Sequence, residues 1–202
     1  MGLFDYQRTV IAYHGIDKEV IHDVLLAGHG LDSSKNTHDW LGHGIYFWEH
    51  GPHRAFEWAK WRAKHGGPGA KIKEPAVIGA VIQLGNCLDL LDTRNTRLLA
   101  EIFPLFQEWC LSQKTALPRN EKAGRNDQDW VKRNLDCAVI NWALEALEKK
   151  GHLYHTVRGI FAEGRPAFEG SYIREKSHIQ IAVRQSNSIL GYFKPNIDFE
   201  NA

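Results

Sequence analysis

The sequence predicts an α+β domain on three features: short β-prone runs near both ends, long stretches of helical periodicity in the middle, and one mostly apolar run of strand length, Val77–Leu84. A chain of 202 residues is long enough for one domain with a substantial core, since domains of this size bury about 70% of the surface of the extended chain. Its 43% hydrophobic and 24% charged residues are those of an ordinary globular protein and exclude disordered and fibrous classes. A formal charge of +1 gives no bulk electrostatic drive toward nucleic acid or membrane. No apolar stretch follows a basic head at the start, and no run approaches the roughly 18 apolar residues that span a bilayer, so a cytoplasmic protein without membrane contact is expected.

The first strand is Val10-Ile11-Ala12-Tyr13, which ends at His14-Gly15. Asp17 then supplies a helix N-cap, Val20, Ile21, Val24 and Leu25 form an apolar stripe, and Gly28 is the stop. After a polar, turn-rich stretch from Gly30 to Asp39, Gly42-His43-Gly44 precedes Ile45-Tyr46-Phe47-Trp48, where missing side chains allow close approach of another molecule. Pro52 opens a second helix carrying Ala55, Phe56, Ala59 and Ala63, with Trp58 and Trp61, and ending near Gly66-Gly67. Val77–Leu84 reads as a central strand covered on both faces. Helical periodicity follows over Arg94–Leu111 and Asp127–Lys150; the latter has an apolar stripe of Val131, Leu135, Ala138, Val139, Trp142 and Leu147, and the basic loop Gln113–Arg125 lies between. Strands return at Val157–Phe161, His178–Val183 and Ile189–Phe193. In the second of these, Ile179, Ile181 and Val183 alternate, so His178, Gln180 and Ala182 share the opposite face.

Cys87, Cys110 and Cys137 are odd in number and form no Cys-x-x-Cys, which reads as reduced, partly buried thiols rather than a disulfide framework or zinc site. Among the 11 histidines, His38, His43, His50 and His53 make no ligand pattern with cysteines or carboxylates, and no metal is expected. Lys60-Trp61-Arg62-Ala63-Lys64, with Lys71 and Lys73, joins basic and aromatic character; it suits either a phosphate backbone or a solvated helix face.

Tyr13-His14-Gly15, Gly44-Ile45-Tyr46-Phe47, the helix around Arg54–Ala59, Val81-Ile82-Gln83-Leu84-Gly85-Asn86, and His178–Val183 with Gly191-Tyr192-Phe193 together resemble, in order, the catalytic domain of diphtheria-toxin-like ADP-ribosyltransferases. That group includes the poly(ADP-ribose) polymerases. The resemblance implies two packed, mainly antiparallel sheets with flanking helices in a single domain over 1–202, with Leu88–His155 as a helical insertion. It implies NAD as co-substrate and no metal. By the same resemblance His14 would hydrogen-bond a ribose hydroxyl, Tyr13 and Gly44 would belong to the cofactor-binding motifs, and the backbone of Gly15 would clasp the nicotinamide amide. Tyr46 and Trp58 would sandwich the ring, a stacking arrangement that adds about 0.5–1.5 kcal/mol per pair. Ala55 stands where relatives often carry a serine on that amide.

Gln180 stands where the family's catalytic glutamate is expected, with His178 beside it on the same face, so the implied catalytic set is His14, Tyr46 and Gln180. An amide can bond the ribose 2′-hydroxyl but brings no negative charge to a developing cation; losing one such group costs on the order of 3 kcal/mol, about a hundredfold in rate. Glu163, Glu169 and Glu175 lie nearby in sequence as possible substitutes. The implied activity is mono-ADP-ribosyl transfer to a protein or nucleic acid, by a toxin or defence effector that an antitoxin or immunity protein could cover. NAD hydrolysis and a silent NAD- or ADP-ribose-binding module are the alternatives, the latter because of Gln180. For His14, Tyr46 and Trp58 a packing role stands beside the functional one: a histidine satisfied by backbone, and core aromatics.

Overall fold

The computed structural model describes residues 6–66, 72–122 and 129–199. The expected helix start at Asp127, the 123–125 end of the basic loop, Gly67 and Lys71 lie outside the described residues. The chain runs β1 (Tyr6–Asp17), α1 (Lys18–Leu26), β2 (Ile45–Glu49), α2 (Pro52–His65), β3 (Pro75–Gly85), β4 (Cys87–Asp89), α3 (Thr93–Ser112), β5 (Asn120–Glu121), β6 (Lys132–Arg133), α4 (Asn134–Glu148), β7 (Thr156–Phe161), β8 (His178–Val183) and β9 (Ile189–Phe193). The fold is α+β.

Seven strands form one sheet in the order β4-β7-β8-β2-β1-β3-β9, antiparallel throughout except for β4 beside β7. The expectation of two separate sheets is therefore modified. The halves β4-β7-β8-β2 and β1-β3-β9 meet where β1 pairs with β2, at Ala12↔Glu49 and Tyr13↔Trp48, and His50 N–H just after β2 donates to the Ile11 carbonyl at 3.1 Å. Beyond that pair β1 continues along β3 as far as Asp17↔Pro75, while β2 runs along β8 to Ile45↔Val183, so the sheet splits there. Val10 and Ala12 of β1 and Ala80 and Ile82 of β3 share one buried cluster with Ile45 and Phe47 of β2 and Ile181 and Val183 of β8. Both halves thus close on a common apolar core, the dominant favourable contribution to folding.

The local signals explain the elements next to the split. Asp17 accepts from Glu19 N–H at 2.9 Å, which caps α1, and also from the backbone N–H of Lys73 and Glu74 at 2.5 and 3.0 Å, which ties the end of β1 to the start of β3. Gly28 takes φ +70° just past α1. Pro52 opens α2, which buries Ala55 and Ala59 against the sheet. No helix among the described residues is long and apolar enough to cross a membrane.

Two boundaries differ from the sequence reading. Helix α4 starts at Asn134, and the described residues just before it, 129–133, are not helical; the Asn120 side chain accepts from the backbone N–H of Leu135 (2.9 Å) and Asp136 (3.3 Å) and so caps the helix from β5. Val131 lies outside the helix, and its carbonyl accepts from the Trp40 indole at 2.8 Å. The expected insertion is also not wholly helical. Leu88 and Asp89 belong to β4, a three-residue strand too short to show a period, which pairs parallel with β7. The three cysteines are free and buried; burial pushes the Cys87 thiol up to about 12 and the Cys137 thiol to about 11.

Candidate functional site

At the point where β1 and β2 separate, the Nδ1 of His14 lies 2.6 Å from the Tyr46 carbonyl oxygen, so Nδ1–H donates across the split. Burial holds this imidazole below its ordinary pKa, and the neutral tautomer leaves a lone pair on Nε2. Its ring lies 5.7 Å from Phe47 and 6.4 Å from Trp58. Gly15 is needed for a packing reason: a Cβ there would stand 2.3 Å from the Ala55 carbonyl and 3.1 Å from both Ala59 and Trp58. His14, Gly15, Ala55 and Trp58 are therefore one contact group, as the motifs suggested.

Tyr46 is placed differently from that expectation. Its hydroxyl donates to the Gly42 carbonyl at 2.6 Å and accepts from Leu41 N–H at 2.8 Å, while its ring packs in the cluster of Leu41, Ile140, Phe161 and Ala182. Gly42 makes this anchor possible at φ +76°. Gly44 is equally enclosed, since a Cβ would stand 3.0 Å from the Val183 carbonyl and 3.2 Å from the Ala182 side chain. The ring against Trp58 is Trp48, at 5.7 Å and 51°. Burial pushes the Tyr46 hydroxyl well above its usual pKa, so it stays protonated as a donor. Tyr46→Phe is expected to cost about 1–3 kcal/mol, because a buried N–H and C=O lose their partner. Chemical denaturation measures this, and an unchanged midpoint would show the anchor to be dispensable.

The register separates residues that the sequence grouped. Tyr13, Trp48 and Gln180 stand directly opposite one another across β1, β2 and β8, so their side chains share a face, together with Tyr46 and His178 two residues along. His14, one residue on from Tyr13, points to the other face with Phe47. Trp58 spans the split, touching His14 and Trp48. Gln180 is half-buried, and its amide makes no hydrogen bond to a described residue.

A polar cluster missed by sequence reasoning lies beside Gln180. Arg54 of α2 donates to Glu163 at 2.7 Å, with both side chains largely buried. The Arg54 guanidinium lies 5.9 Å from the centre of the Trp48 ring, and the Trp48 ring 6.4 Å from that of His178. The signal was present in Arg54, one residue before Ala55, and in Glu163, but nothing local joined them. Of the other two carboxylates, Glu175 pairs with the exposed Arg165 and Glu169 is exposed.

Two cavities open elsewhere. One of about 120 Å³ is lined by Ser33, His43, Leu144, Glu148, Tyr154 and Arg184. The other, about 380 Å³ and mainly apolar, lies between α3, α4 and the Trp40–Phe161 pair. Neither is lined by His14, Gly15, Tyr46, Trp58 or Gln180. Among the described residues no group of three or more His, Cys, Asp or Glu side chains is placed to hold a metal ion.

Comparison with protein-family models, curated proteins and solved structures finds no match to this chain.

Proposed function

We propose that the chain is an NAD-dependent mono-ADP-ribosyltransferase of the diphtheria-toxin-like fold, acting on a protein or nucleic-acid acceptor. The observation that carries this reading is the neutral His14, fixed by the Tyr46 carbonyl, with the unadorned Gly15 and the Trp58 ring in one contact group at a split in the sheet. The donor set suits NAD: Nε2 of His14 accepts from a ribose hydroxyl, and the indoles of Trp48 and Trp58 offer flat faces to a pyridine ring. When bound, NAD supplies the ADP-ribosyl group and the nicotinamide leaving group. The protein orients the sugar through His14 and screens it from water with the tryptophans, while Gln180 lies on the opposite face of the sheet.

A specific observation favours the silent NAD-binding module as the second reading. Gln180 carries no charge, and the charge of Glu163 is met by Arg54. Purified protein incubated with NAD separates these readings when free nicotinamide is followed with and without cellular protein and RNA. Release that requires acceptor is the expected result, with ADP-ribose found on the acceptor by mass spectrometry. Release into water alone indicates a glycohydrolase, and binding without release the silent module. His14→Ala is expected to weaken NAD binding about tenfold, the loss of one well-made hydrogen bond at a buried site; unchanged affinity would remove His14 from the site.

A further inference from the structure

Among the described residues, the buried side-chain polar atoms that lack a hydrogen-bond partner are Trp48 Nε1, Arg54 Nε and His178 Nε2. They belong to neighbouring side chains: Trp48 lies against both the Arg54 guanidinium (5.9 Å) and the His178 ring (6.4 Å). Buried polar groups are nearly always paired, so three orphans in one neighbourhood mark a place built for something else. Trp48 itself is only 4% exposed.

The hydrogen-bonding character of the place is defined. Trp48 Nε1 and Arg54 Nε can only donate. His178 Nδ1 lies 2.5 Å from the Lys176 carbonyl and must donate to it, which leaves Nε2 as an acceptor. Separately, burial lowers the His178 pKa and favours this neutral form. The Arg54 charge is already met by Glu163 at 2.7 Å, so the place favours a neutral group over an anion. Its surroundings are flat rings: Trp40 stacks on His178 at 6.3 Å and 25°, Phe161 lies 5.8 Å from His178, and Trp58 lies 5.7 Å from Trp48.

The geometry points to a site for a primary carboxamide carried on a flat aromatic ring, its oxygen accepting from Trp48 Nε1 and Arg54 Nε and its NH2 donating to His178 Nε2. A carboxamide offers an acceptor oxygen and two donor hydrogens side by side, which matches two donors and one acceptor; a carboxylate has no hydrogen for His178 and adds a charge. The assignment rests on the NAD reading only for the molecule that carries the amide, namely its nicotinamide end.

Nicotinamide is the probe. Titrated into the full chain, it is expected to shift the NMR signal of the Trp48 indole N–H, assigned by its loss in Trp48→Phe, and to bind at least about tenfold more tightly than nicotinic acid by calorimetry. Arg54→Lys keeps a cation for Glu163 but removes the Nε–H, and it should weaken nicotinamide about five- to tenfold, as should Trp48→Phe. Equal binding of nicotinic acid and nicotinamide, or a Trp48 signal that nicotinamide leaves unmoved, overturns the assignment without need of any variant. So does wild-type affinity in both variants when their melting temperatures are unchanged. Nicotinamide selectivity in a protein that does not bind NAD would leave this site standing and remove the transferase reading; NAD binding without nicotinamide selectivity would do the reverse.

Discussion

Arg158→Leu is expected to lower the unfolding free energy by about 3–5 kcal/mol, the cost of breaking a buried ion pair from one side. Arg158 sits in β7 with 5% of its side chain exposed and donates to Glu49 at 2.5 and 3.1 Å and to Asp89 at 3.0 Å. Both carboxylates are also buried, Glu49 at 3% and Asp89 at 6% side-chain exposure. Without the guanidinium two anions remain in the interior, met among the described residues by the half-exposed Arg8, 3.3 Å from Glu49, and by the Leu91 N–H, 3.0 Å from Asp89. The triad also joins β2, β4 and β7, so its loss loosens the strands that carry Tyr46 and Trp48. Urea denaturation measures the change. Adding Glu49→Gln and Asp89→Asn to Arg158→Leu should recover most of it, because the penalty comes from stranded charge. A loss below about 1 kcal/mol in the single variant would place the triad among ion pairs that solvent screens.

Gly15→Ala is expected to cost about 3 kcal/mol, at the upper end of what overpacking a core commonly does. The new Cβ meets the Ala55 carbonyl at 2.3 Å, and this is backbone that can yield only if α2 shifts away from β1. Because Arg54 and Trp58 ride on α2, the shift should also move the Trp58 ring from His14 and Trp48. Tryptophan fluorescence and thermal melting should therefore change together. A variant that melts like the parent with unaltered fluorescence would show that α2 is seated more loosely than this contact implies.

How far the sequence was legible follows from how local each signal is. The β1–α1 boundary could be read because Asp17 caps α1 and Gly28 ends it within a dozen residues. Pro52 likewise announced α2, and the apolar run Val77–Leu84 announced β3, which lies between β1 and β9. What stayed hidden was set by distant partners. Strand β4 exists because Cys87–Asp89 find Thr156–Arg158, and α4 begins where a side chain from β5 caps it. The site shows the same division. The union of His14, Gly15, Ala55 and Trp58 was visible in the motifs, whereas the ring of Tyr46 is held by a non-local cluster, and sheet register places His14 on the face opposite Gln180. Arg54, Glu163 and Trp48 each sat in plain view, but only the fold brings them beside His178.

The most direct test of NAD recognition at the split is a calorimetric titration of NAD into the full chain and into His14→Ala. One saturable site in the parent, weakened about tenfold by the substitution, is the predicted result. No heat of binding in the parent, or an isotherm that the loss of the imidazole leaves unchanged, would contradict it.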